Sequence, residues 1–172
     1  MTQIDSVLAA NRDAIQDLIA AAERSADVWT AARAQGKWSP SQVVEHVARS
    51  LDESANVVSG APSKFPNLPF FLRPVVRSVL FNRVLRSGAF PKAKTNKALN
   101  PASGPATPSE ARLRLQNALA KFDGECRACA QADGVVASAT FGSVAVADYA
   151  RFMELHTRHH CKQMPGAPAL AS

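Results

Sequence analysis

No stretch of this sequence approaches the roughly 20 consecutive apolar residues that a bilayer-spanning helix requires, so neither a membrane span nor a membrane partner is expected. The N-terminus, Met1 to Asp5, is polar and acidic where a secretory leader would be basic and then apolar, which points to a cytoplasmic protein. Cysteine is scarce and odd in number, three among 172 residues, and that argues against a disulfide framework. A recognition-helix signature, an aromatic RNA-binding platform and zinc-finger spacing are all missing. The net charge of +6 is therefore read as a solubility property, and no nucleic-acid partner is expected. Also absent are a phosphate loop, a nucleophile triad and an evident general base.

What is present is an apolar fraction of 47%, normal for a soluble globular protein and too high for wholesale disorder. The length suits one domain, placed at residues 1–164, with a small-residue tail over 165–172 expected to be disordered. Residues from about Ile4 to Arg33 carry Val7, Leu8, Ile15, Leu18, Ile19 and Ala22 at three- and four-residue steps, the pattern of a helix with one buried face. A second helix opens at Ser39-Pro40-Ser41-Gln42, a capping box with proline in the first turn, and runs to about Val58 with Val43, Val44, Val47 and Leu51 on its inner stripe. Eight of the eleven prolines then punctuate residues 60–108. Within that stretch Val75 to Arg86 reads as a short helix stopped by Gly88, and Ala89 to Pro105 as a long loop crossing the domain. Thr107-Pro108-Ser109-Glu110 opens a third long helix as a second capping box, closed by Asp133-Gly134. The turn-forming Ala139 to Ser143 leads to a last helix, from about Ala147 to Met164. No pair of strands is evident, and the expected class is all-α.

The four histidines fall in two places, His46 alone and the run His156-Thr157-Arg158-His159-His160. Residues four apart on a helix differ by only about 40° around the axis, so His156 and His160 face the same way and can share one ion. His159 lies about 100° from His160 and cannot join them. Phe152 precedes His156 by four residues, so the pair lies on an apolar, inward face. Buried imidazoles without partners are costly, and something should satisfy their nitrogens. His46 sits at the edge of a buried stripe and is the third candidate, although a lone helical histidine is more often a hydrogen-bonded core residue. Three imidazoles without a fourth protein ligand would leave coordination positions for water or substrate, as in catalytic rather than structural zinc sites.

At these residues the sequence resembles the DinB/YfiT-like superfamily of metal-binding four-helix bundles. The resemblance rests on Lys37-Trp38-Ser39-Pro40-Ser41-Gln42-Val43-Val44-Glu45-His46-Val47 and on His156-Thr157-Arg158-His159-His160-Cys161-Lys162-Gln163. Phe141-Gly142 resembles a branch of uncharacterised, domain-of-unknown-function members. The resemblance implies an up-down-down-up bundle with a long proline-rich crossover carrying a short extra helix. It also implies that His46, His156 and His160 hold a zinc- or nickel-like divalent ion, with His159 outside the ligand set. Homodimers are frequent among such proteins, and some are thiol-dependent transferases. Two positions depart from the pattern: Ala145 replaces the Ser or Thr expected to cap the last helix, and Thr157 replaces an acidic residue.

Gln163, three residues after His160, is placed next to the site, and Trp38 is considered for its mouth, although an aromatic stapling the entry to the second helix is the commoner role. Cys126-x-x-Cys129 lacks both a second cysteine pair and a βαβ context, so helix packing is the expected role of these thiols and of Cys161. Residues Phe70–Arg86 have the composition of a basic amphipathic helix but are expected to cover one end of the bundle or to form a dimer contact. Three functions stand side by side: a metal-dependent thiol transferase or hydrolase-like enzyme acting on a thiol or an anionic small molecule, a non-catalytic metal-binding stress-related or interaction protein, and a membrane-surface binder using Phe70–Arg86.

Overall fold

The computed structural model describes residues 2–92 and 95–165; the rest of the expected tail, after Pro165, lies outside the described residues. Four long helices share one core: α1 (Gln3–Arg24), α2 (Pro40–Ser59), α5 (Pro108–Gln131) and α6 (Val146–Cys161). Between α2 and α5 a further helical segment comprises α3 (Arg73–Val76), a π-helical stretch (Arg77–Asn82) and α4 (Arg83–Ser87). The interior is filled by the stripes that the sequence periodicity marks, including Leu18, Val44, Leu51, Leu115 and Phe122, all fully buried.

The helix starts follow from capping chemistry. Ser39 Oγ accepts the Gln42 N–H at 3.3 Å while Gln42 Oε1 accepts the Ser39 N–H at 3.0 Å, a complete capping box with Pro40 in the first turn. Thr107 caps α5 in the same way at 3.2 Å, but the second half of the expected box is displaced, because the Glu110 carboxylate accepts from Ala106 N–H at 2.9 Å. Helix α1 stops nine residues short of the expected Arg33. The Ser25 hydroxyl donates to the Ala21 carbonyl, a 3-10 turn (Ala26–Val28) follows, and Trp29 turns into the core.

The chain is mostly helical, as expected, but the expectation that it has no pair of strands needs correction. Val135–Ser138 (β1) and Gly142–Ala145 (β2) form an antiparallel hairpin with Val136 opposite Val144. Its strands of four residues, built partly from Ala and Ser, are too short to show a period-2 pattern. Burial nonetheless alternates along β1, with Val136 and Ser138 inside. Ser138 Oγ accepts the N–H groups of Thr140 and Phe141, and Gly142 takes φ +74°, which closes the turn. The hairpin also explains how α6 begins on Ala145, which offers no side-chain cap. The Val146 N–H, one of the donors a helix start leaves free, is accepted at 2.8 Å by the Gly134 carbonyl at the foot of β1.

Residues 95–106 cross the start of α2 as a strap. The Pro105 carbonyl accepts from both Trp29 Nε1 (2.9 Å) and Ser41 Oγ (2.8 Å), and Gln42 Nε2 donates to the Pro101 carbonyl at 3.2 Å. Gly104 lies so close to α2 that an added Cβ would fall on the Ser41 carbonyl oxygen and within 2.6 Å of Ser41 Oγ. Replacing Gly104 with alanine should therefore push the strap outward. We expect a cost of about 2 kcal/mol, read as a thermal midpoint lowered by roughly 5 °C; an unchanged midpoint would show that the strap yields freely.

The segment over α3 and α4 was expected to be a packed lid, and it is one on a single side. Phe81 and Val84 are buried, with Phe81 lying 5.0 Å from Phe141 and 5.1 Å from Phe152 between ring centroids. The opposite side, including Phe70 and Phe71, faces solvent.

Candidate metal centre

His46 is carried by α2, whose phase is set by the buried Val43, Val44, Val47 and Leu51 stripe. His156 and His160 are carried by α6 one turn apart, on the side that also buries Phe152 and Met153. Packing α2 and α6 together brings the three Nε2 atoms to one point. His156 Nε2 lies 3.3 Å from that of His46 and 3.1 Å from that of His160. All three ligand atoms fall within 4.8 Å of one another.

Hydrogen bonds at the far ring nitrogens determine which atoms are free. His46 Nδ1 donates to the Leu99 carbonyl at 2.9 Å, so its Nε2 carries a bare lone pair. His160 Nδ1 donates to Gln163 Oε1 at 3.0 Å, with the same consequence. The Gln163 amide is oriented by its other end, which donates to His159 Nε2 at 3.1 Å. His156 Nδ1 is shielded from solvent and, among the described residues, has no hydrogen-bond partner. Either its proton is on Nδ1 and buried unpaired, with three lone pairs converging, or it is on Nε2 and points at two neighbours that can only accept. A cation among the three Nε2 atoms would satisfy the converging lone pairs of the first arrangement and leave the Nδ1 proton unpaired; in the second, Nε2–H donates to one neighbour and the unpaired atom is the Nδ1 lone pair.

The donor set fits such an ion. Two nitrogens at about 2.0–2.1 Å from a tetrahedral ion lie roughly 3.3 Å apart, close to the separations seen here. The imidazoles are also held in the ligating, neutral form. Burial pushes the pKa of His160 down to about 3, with the nearby His46 acting in the same direction. The pKa of His156 lies well below the ordinary value, through burial first and then the other histidines. His46 is lowered by burial, partly offset by its bond to Leu99. The histidine cluster could therefore hold a metal ion.

Trp38 lies over the site, its ring centroid 4.7 Å from that of His46 and 6.1 Å from that of His160, with Nε1 donating to Asn100 Oδ1 at 3.2 Å. Phe90 meets His156 edge-on at 5.5 Å and His159 at 5.4 Å. His159 lies outside the three-nitrogen cluster, as its angle around the helix requires. Three participants were not legible beforehand: Phe90, Asn100 and the Leu99 carbonyl all come from the proline-rich crossing, and a backbone carbonyl leaves no sequence signal. The thiols stand apart. Cys126 is buried and its pKa is raised by burial, Cys161 is raised to about 11 for the same reason, and neither has the depressed pKa of a reactive thiolate.

Replacing Gln163 with alanine should leave His160 free to rotate and weaken zinc or nickel binding about 10- to 100-fold, measured by competition with a chelating dye. Unchanged affinity would restrict Gln163 to packing at the end of α6.

No curated protein and no solved structure matched the chain. One family model did, described as "Protein of unknown function (DUF1569)", and its match over residues 10–166 takes in all three histidines of the cluster. With that match spanning nearly the whole chain, the protein belongs to the DUF1569 family.

Proposed function

We infer that His46, His156 and His160 bind one divalent ion, zinc or nickel, and that the four long helices form a DinB-like bundle around that site. The observation that carries this reading is the convergence of three Nε2 atoms, two of them stripped of their protons by Leu99 and Gln163. With three neutral imidazoles and no acidic ligand, the ion would supply Lewis acidity and a position for water or a small thiol. The chain's own residues set the surroundings: Trp38 and Phe90 exclude water, and the Leu99 carbonyl and Gln163 fix two ring orientations. In this reading the protein is a metal-dependent transferase or hydrolase for a small thiol or anionic compound.

A second reading has its own support. His46 and His160 are only 4% and 6% exposed, and the two grooves found beside the hairpin are lined by none of the histidines. An ion so enclosed would mainly fix α2 to α6 without chemistry. Elemental analysis of protein purified without chelators, with zinc and nickel titrations, tests the shared premise; absence of stoichiometric binding in both would overturn it. A panel of thiols and electrophiles then separates the readings, turnover that depends on added metal favouring the enzyme.

A further inference from the structure

The charge of this protein is unevenly distributed. Residues 54–109 contain eight of the twenty basic residues and none of the fourteen acidic ones, so this segment carries +8 and the remainder −2. Elsewhere six of the nine arginines, Arg12, Arg49, Arg112, Arg114, Arg127 and Arg158, meet carboxylates. Among the described residues, Arg73, Arg77, Arg83 and Arg86 meet none. Interleaved with them are five of the eight large apolar side chains that stand exposed among the described residues: Phe70 at 79%, Phe71 at 62%, Leu72 at 41%, Val75 at 56% and Val79 at 60%. An apolar tip with a basic surround, on a helix packed by its other face, is the pattern of an element that lies in a bilayer interface.

We propose that the outer face of residues 70–86 docks this protein on a negatively charged lipid surface. The segment is already held in place for this. Leu68 N–H donates to the Ala139 carbonyl in the hairpin turn, Arg73 Nε to the Leu68 carbonyl and Arg77 Nη1 to the Ser143 carbonyl at 2.8 Å. A groove of about 520 Å³, lined by Phe70, Arg73, Arg77 and Ser143 among others, opens at the same tip, so fixed guanidinium groups stand where phosphates would lie once the phenylalanines enter the acyl boundary. The alternatives fit less well. A symmetric contact with a second copy would set the same unpaired arginines against themselves. Single-stranded nucleic acid needs stacking platforms, whereas Leu72, Val75 and Val79 are aliphatic and Phe70 and Phe71 meet each other edge-on at 5.7 Å. No described helix is long and apolar enough to cross a membrane, so the contact is peripheral.

The test is co-sedimentation with phosphatidylcholine vesicles, with and without phosphatidylglycerol, at low and high salt. The protein should sediment only with the phosphatidylglycerol vesicles and should be released by salt. The double variant Arg83→Ala with Arg86→Ala should bind roughly 25-fold more weakly, about fivefold per charge. Phe70→Ser with Phe71→Ser should lose at least about tenfold while keeping its thermal midpoint, because both side chains are exposed. Failure to bind phosphatidylglycerol vesicles, equal binding to neutral ones, or full binding by the phenylalanine variant would each overturn the proposal. So would a dimer in sedimentation velocity that Phe70→Ser abolishes in the absence of vesicle binding, which would assign the face to a second copy.

Discussion

If the three histidines hold an ion as proposed, His156→Ala protein should carry no stoichiometric metal, and the stabilisation expected for the wild type on adding zinc or nickel should be absent. His156 is the nitrogen common to both short separations, 3.3 Å to His46 and 3.1 Å to His160, so its removal leaves two imidazoles on different helices. Ion at about a thousandfold excess over its dissociation constant stabilises a folded protein by about 4 kcal/mol, which for a chain of this size raises the thermal midpoint by roughly 10 °C. The variant should show none of that rise. The metal-free variant is a separate measurement: truncation removes a side chain whose Nδ1 has no partner, so its unfolding free energy should fall by less than the 2–5 kcal/mol typical of large-to-alanine changes in a core. Retention of the ion by the variant, or a large loss of metal-free stability with no effect on binding, would make His156 a packing residue.

Acid should destabilise the metal-free protein well above the pH at which carboxylates titrate. A histidine with an ordinary pKa of about 6.5 when unfolded and about 3 when folded, as for His160, binds fewer protons in the native state between those values. Stability therefore rises with pH through that window, is fully present above the unfolded value and is lost as pH falls below it. Between pH 7 and 5 the loss from His160 alone is about 2 kcal/mol. His46 and His156, shifted in the same direction by burial, add to it. Asp5, lowered to about 2 by its bonds to Thr2 and Arg127, loses its contribution only below the ordinary carboxylate range. Urea unfolding of chelator-treated protein at pH 7, 6 and 5 measures the effect, and His160→Gln should flatten it. A midpoint constant across that range would contradict the burial of neutral imidazoles.

The long helices and the mutual placement of His156 and His160 follow from periodicities that act over one or two turns, which is why they were legible in the sequence. Ser39 with Gln42 and Pro40 is likewise a local device. His46 is different: its membership of the cluster depends on how α2 packs against α6, and only a face argument and a resemblance pointed to it. The hairpin escaped because strands of only four residues, built partly from Ala and Ser, carry no periodic signal, and the crossing because several of its contacts are made by backbone carbonyls. Ala145 shows the same limit: the group that satisfies the start of α6 is the Gly134 carbonyl, eleven positions upstream and brought there by the hairpin.

Positions 46 and 156 are separated by 110 residues along the chain. An ion held between them would tie the first half of the polypeptide to the last, but unlike a disulfide it binds only once folding has built the site, so it would stabilise the native state by binding and leave the unfolded chain unrestricted. The three cysteines, all free, provide no such tie. In this protein the long-range link would be governed by the supply of a divalent cation and indifferent to reducing conditions.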